Sequence, residues 1–198
     1  MQRIEVSEEI ILSASIAAEE AKKTHNNKEL SITDHEGLFA GYVGEFVFND
    51  ITGAKPVNGS RYHDTTIGDF KIEVKTKQST AEPFLYDHNK NPVWEGTVPC
   101  YLDSIHQNPE TRPDCFVFFN VKYKTANKEG KIYKYEVNDL ECIYYGGYML
   151  FEDYIDKRRF IPAKQQYSTN SRLVHTDQWN IYWSELTYKE LLQYSLTN

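Results

Sequence analysis

The chain is poor in sulfur and has no thiol motif. Its three cysteines, Cys100, Cys115 and Cys142, are odd in number and form no CxxC pair. That argues against a disulfide framework and points to a reducing compartment. It also falls short of the four ligands an iron–sulfur cluster requires. No apolar run is long enough to span a membrane, and no apolar stretch near the start resembles an export signal. The expectation is a soluble, cytoplasmic protein with no membrane partner. There is no Gly-rich loop ending in Gly-Lys-Ser/Thr, so no nucleotide cofactor is expected. Basic residues are in deficit, with 22 Lys and Arg against 29 Asp and Glu and a net charge of −7. A polyanionic partner would be repelled at long range and would have to be held by local basic patches. Repeats and low-complexity tracts are absent, and 198 residues suffice for one domain with a real core.

What is present is concentrated between Arg61 and Lys75. From Phe70 to Lys75 apolar and charged residues alternate, so Ile72 and Val74 face one way and Glu73 and Lys75 the other. Gly68-Asp69 has the form of a two-residue turn, with Gly at the first central position as type II′ demands. Such a turn pairs Ile67 with Phe70, and counting back sets Asp64 opposite Glu73. Opposed residues hold their Cβ atoms about 5 Å apart, and like charges facing each other destabilise a hairpin. A divalent cation between them relieves that repulsion, so the pattern reads as a metal site with Lys75 beside it. An acid-x-lysine tripeptide alone is weak evidence, since Glu20-Ala21-Lys22, Asp69-Phe70-Lys71 and Glu129-Gly130-Lys131 also occur. Only Glu73-Val74-Lys75 lies on an alternating strand with an aspartate across a turn. The competing reading is a solvated polar face.

A third acid comes from upstream. Thr33-Asp34-His35-Glu36 has the form of a capping box. The helix it opens carries Leu38, Phe39, Tyr42, Val43, Phe46 and Val47 at the spacing of a packed face. Gly37, Gly41 and Gly44 run along the same helix, at about 1 kcal/mol each against alanine. Close packing or function should compensate. Glu45, one turn beyond Gly41, would be delivered towards Asp64 and Glu73 if the helix approached the sheet there; otherwise it is an ordinary exposed glutamate.

Gly41-x-x-Gly44-Glu45 on a helix, then Asp64, then Glu73-Val74-Lys75, resembles the PD-(D/E)XK nuclease superfamily, the restriction-endonuclease-like fold. The resemblance covers roughly residues 33 to 78, with Cys115 to Tyr123 as a further core strand. It implies an α/β fold, a three-layer core with a mixed central β-sheet flanked by α-helices. By position it makes Asp64 the motif aspartate, Glu73 the variable acid, Lys75 the lysine and Glu45 the helix glutamate. His63, not proline, precedes Asp64. The implied activity is Mg²⁺-dependent hydrolysis of DNA phosphodiester bonds, in restriction, repair or recombination. The alternative is a non-catalytic nucleic-acid-binding or assembly module on the same fold.

The residue types suit that chemistry. Mg²⁺ takes a near-octahedral oxygen shell, usually one or two carboxylates with water and phosphate, and Mn²⁺ is able to substitute. Asp64, Glu73 and the backbone carbonyl of Val74 are the candidate ligands. Lys75 is expected to position water and stabilise charge on the phosphate. Lys77 shares the face of Lys75, and with Gln78 it is expected to touch substrate phosphates. For DNA contact the basic candidates are the segment from Lys122 to Lys134 and Lys157-Arg158-Arg159, the alternative being a solvated face. Cutting both strands with one site per chain suggests a homodimer.

Elsewhere, Ser7-Glu8-Glu9 starts a helix with an alanine-rich face over Ile10 to Lys23, ended by Asn26-Asn27. Residues 79 to 114 read as an irregular insertion broken by five prolines. Its Phe84, Tyr86, Trp94, Tyr101, His88 and His106 form either a DNA-contacting flap or a satellite core. Cys115 to Phe119 reads as a central strand buried on both faces. Lys131 to Val137 is expected to form a hairpin with it. Strands are also expected at Tyr144 to Phe151, Arg159 to Ile161 and Trp179 to Trp183. Thr187-x-x-Glu190 reads as a capping box for a last helix. Asp87-His88-Asn89 lacks the partner histidine of an HNH nuclease, and His175-Thr176-Asp177 reads as a surface turn.

Overall fold

The computed structural model describes residues 1–24, 35–57, 63–129, 132–163 and 177–188. The Thr33 capping box, the Asn26-Asn27 stop, His175-Thr176 and the helix expected after Thr187 fall wholly or partly outside them. Among the described residues the protein is mixed α/β. A six-stranded sheet has the order β1-β9-β6-β4-β3-β2, and only its β4–β6 pair is parallel. Its strands are β1 (Gln2–Ile4), β2 (Lys55–Pro56), β3 (Thr65–Ile67), β4 (Phe70–Ser79), β6 (Cys115–Tyr123) and β9 (Leu140–Leu150).

Two helices cover one face. α1 (Glu8–Thr24) starts where the Ser7 hydroxyl accepts the Ile10 amide at 3.3 Å. Glu8 and Glu9 stand at its positive end and Lys22 and Lys23 at its negative end. Its buried stripe, Ala14, Ala18 and Ala21, is small enough for close approach to α2 (His35–Thr52). α2 buries Phe39, Val43, Val47 and Phe48 against Ile72, Val74, Val117, Phe119 and Val121 of the sheet. Fully burying such a side chain contributes about 1.5–3 kcal/mol, so this layer holds the helix in place.

The opposite face carries Phe116 and Phe118 and is covered by a three-stranded sheet, β10-β11-β5. It consists of β5 (Glu95–Pro99), β10 (Arg159–Ile161) and β11 (Gln178–Tyr182). The connection from β4 to β6 is therefore less irregular than its prolines suggest: it contains β5, a 3₁₀ turn and the short helix α3 (Asp103–His106). Its aromatics divide. Trp94 packs on Trp183 at 6.2 Å, while Phe84 and Tyr86 are exposed. Asp87 forms a turn in which its carboxylate accepts the amides of Asn89 and Asn91.

The hairpin expectation for β6 needs correction. Its antiparallel neighbour is β9, a longer apolar strand. The 131–137 region instead contributes β8 (Ile132–Lys134), which pairs only with β7 (Asn127–Glu129) in a separate ribbon. α4 (Phe151–Lys157) follows β9 directly and leads into β10.

Candidate active site

The β3–β4 hairpin turns as its glycine demands. Gly68 has φ +58° and Asp69 is not in the positive-φ region, which separates type II′ from type I′. Ile67 pairs with Phe70 and Thr65 with Ile72. One step further the ladder changes. The Asp64 amide donates at 3.0 Å to the carbonyl of Ile72, the residue already opposite Thr65. Asp64 thus steps out of register instead of facing Glu73 squarely, as a bulged strand does. Its carboxylate Oδ2 accepts the Val74 amide at 2.7 Å.

That bond orients the rest. Amide and carbonyl of one residue leave a strand on the same edge, so the Val74 carbonyl also faces the Asp64 side. Ile72 and Val74 point into the helix-side core. Glu73 and Lys75 occupy the other face, beside Phe116 and Phe118 in the parallel ladder. Glu73 is more buried than an exposed polar face would allow, at 8% accessibility, and its Oε1 accepts a bond from the Lys75 ammonium. Gly96 of β5 presses close on this face, since a Cβ there would lie 2.3 Å from the Phe118 ring.

Glu45 arrives from α2. At Gly44 the helix touches the sheet so tightly that a Cβ would lie 2.0 Å from Thr76 Oγ1. Gly41, in contrast, meets nothing within 4 Å, so the glycine stripe serves close approach at Gly44 and leaves open space at Gly41. Burial pushes the Glu45 carboxyl well above the usual range, with Asp64 and then Glu73 adding to the rise and Lys75 opposing it. Asp64 is pushed up to about 7, by burial first and Glu73 second, against Lys75 and the Val74 amide. Each acid is destabilised as an anion by the others. Three carboxylates against one ammonium leave two negative charges, the complement of one divalent cation.

The donors are all hard oxygens, which suits Mg²⁺ held by one or two carboxylates with water completing its shell. Among the described residues no group of three or more His, Cys, Asp or Glu forms a ready-made metal cage. Lys77 stays on the face of Lys75, beside Asn120. Gln78 lies on the other face, where its buried Oε1 has no partner, so the two do not form one surface. Arg158 pairs with Asp103 at 3.3 Å and lies 4.0 Å over the Trp179 ring. Arg159 pairs with Glu95 at 3.1 Å and lies over Tyr182. Lys122 is held between Glu82 and Glu141.

Two neighbours of the site escape a motif reading. Tyr42 precedes Glu45 by three residues, hence on the same helix face. Its phenol is raised by burial, then by Glu45 and Asp64. His106 of α3 is held low, at about 4, by burial and then by Lys75. The helical spacing would have found Tyr42; nothing local would have found His106. No family model matches this chain, and no curated protein matches it.

Proposed function

We propose that this protein is a Mg²⁺-dependent deoxyribonuclease of the PD-(D/E)XK type, built on a restriction-endonuclease-like three-layer core. The observation that carries the reading is the convergence of Glu45, Asp64, Glu73 and Lys75, from a helix and two strands, into one electrostatically coupled group. The order of elements supports it: a glutamate-bearing helix, an antiparallel hairpin with the acids and lysine, and a parallel strand reached by a crossover.

Asp64, Glu73 and the Val74 carbonyl would hold Mg²⁺, or Mn²⁺ in its place. When bound, the ion supplies an acidified water and neutralises charge on the phosphate. The remaining work falls to the chain. The Val74 amide fixes the Asp64 carboxylate, and Lys75 orients the attacking water and meets developing negative charge. Glu45 sets the local field from the helix side. Lys77, Gln78, Arg158 and Arg159 are the proposed DNA contacts, and two-strand cleavage is assigned to a homodimer. The test is cleavage of linear, nicked, branched and single-stranded DNA with Mg²⁺, by the wild type and by Asp64→Ala, Glu73→Ala and Lys75→Ala.

A second reading, a nucleic-acid-binding or assembly module without catalysis, is favoured by the net charge of −7 and by the ion pairs that occupy Arg158 and Arg159. It predicts binding without cleavage on every substrate in the same assay.

A further inference from the structure

His106 ends α3, within the crossover from β4 to β6. Its imidazole is 4% exposed and stands edge-on to two rings, Phe116 at 5.3 Å and Phe151 at 6.0 Å. Its Nδ1 is buried and has no hydrogen-bond partner. A buried polar atom in that condition calls for a reason. Phe116 lies beside Glu73 in the parallel ladder and Phe118 beside Lys75, and the two phenyl rings stack at 6.4 Å. His106 therefore roofs the same face of the sheet on which Glu73 and Lys75 lie. Burial, reinforced by the Lys75 ammonium, keeps the ring neutral at physiological pH. A neutral imidazole presents one nitrogen as an acceptor.

Lys75 is at present bonded to Glu73. A cation that draws on the Glu73 carboxylate removes part of that partner, and the ammonium needs another acceptor. We propose that His106 is a positioning residue for Lys75, its unpartnered ring nitrogen receiving the ammonium when a divalent cation engages Glu73. A neutral acceptor suits this role better than a carboxylate, because it fixes the ammonium without cancelling the charge that the phosphate requires. The crossover segment thus joins the site through one buried side chain. This inference rests on the metallonuclease reading.

Nitrogen-15 NMR of the histidine rings in the full chain tests it, with Mg²⁺ binding followed separately by calorimetry. The His106 signals are assigned by their loss in His106→Asn. On Mg²⁺ saturation the Nδ1 resonance should move towards that of a hydrogen-bonded acceptor in the wild type and stay put in Lys75→Met. In kinetics His106→Leu should lower kcat about tenfold at nearly unchanged KM. His106→Asn, whose Oδ1 takes the place of Nδ1, should recover most of the loss. If Mg²⁺ binds and DNA is cut but Nδ1 does not move, or if the Leu and Asn variants are equally impaired at matched thermal midpoints, the positioning role is wrong and the nuclease reading stands. If the wild type neither binds Mg²⁺ nor cuts, the nuclease reading fails and this role fails with it.

Discussion

The Asp64 carboxylate accepts the backbone amide of Val74 at 2.7 Å, across the hairpin from its own strand. The bond forms because Asp64 has left the β3–β4 ladder, its amide going to Ile72. A side chain takes the place of the strand that ends there. The consequence is an aspartate fixed beside Glu73 and Lys75 by the main chain, where burial and Glu73 both resist its ionisation.

Metal-free stability should depend on pH through this residue. The folded-state pKa of Asp64, about 7, lies above its unfolded value. Its stabilising contribution is therefore complete below the unfolded pKa and is lost as pH rises through about 7. Glu45 acts in the same direction. His106 acts in the opposite one, losing stability as pH falls from its unfolded value towards about 4. In EDTA the thermal midpoint should rise as pH is lowered from 8.5 to about 6.5, the unfolded histidine pKa, and then level off. Asp64→Asn should be more stable than wild type by a few degrees at pH 8, with a flatter profile. Calorimetry in EDTA is the check, and a less stable Asp64→Asn at pH 8 would remove the proposed repulsion.

The two helix glycines should respond in opposite ways. Gly41→Ala adds a methyl to open space and a better helix former, so it should stabilise by about 0.5–1 kcal/mol. Gly44→Ala meets Thr76 Oγ1 and should destabilise by about 1–3 kcal/mol. It should also weaken cleavage, because α2 carries Glu45. The Thr76 hydroxyl has no partner, so adding Thr76→Ala to Gly44→Ala should recover part of the loss without breaking a hydrogen bond. Denaturant midpoints of the four proteins measure this.

Arg158→Ala combined with Arg159→Ala has two expected effects. Loss of the contacts to Asp103, Trp179, Glu95 and Tyr182 should lower the thermal midpoint. Loss of phosphate contacts should flatten the salt dependence of log K by one or two units, at about 0.9 per contact. The slope is the informative quantity. A lower midpoint with an unchanged slope makes both arginines struts between sheet and crossover, and places the DNA surface elsewhere.

The hairpin and its site were legible because they are local. A glycine at the first turn position, an alternating strand and an acid a few residues back determine Ile67 opposite Phe70, and with it the faces of Glu73 and Lys75. The departure of Asp64 from register was not legible, since no residue type marks where a ladder gives way to a side-chain bond. The partner of β6 was misassigned because the nearest alternating segment, 131–137, was favoured over the more distant β9. Sequence proximity is a poor guide when a central strand must find the longest apolar partner. Prolines likewise suggested disorder of pattern in 79–114, although β5 there is completed only by β11, some eighty residues on. His106 was invisible as a neighbour of the site for the same reason: it reaches Glu73 and Lys75 through tertiary packing on Phe116.

The most direct measurement is metal-dependent cleavage of a labelled DNA panel after exhaustive EDTA treatment. Mg²⁺ and Mn²⁺ should restore cutting by the wild type. Ca²⁺, with its larger and looser oxygen shell, should support binding alone. Asp64→Ala, Glu73→Ala and Lys75→Ala should each be folded and inactive. Undiminished cleavage in EDTA, full activity in any of the three variants, or no cleavage of any substrate with Mg²⁺ or Mn²⁺ would contradict the account.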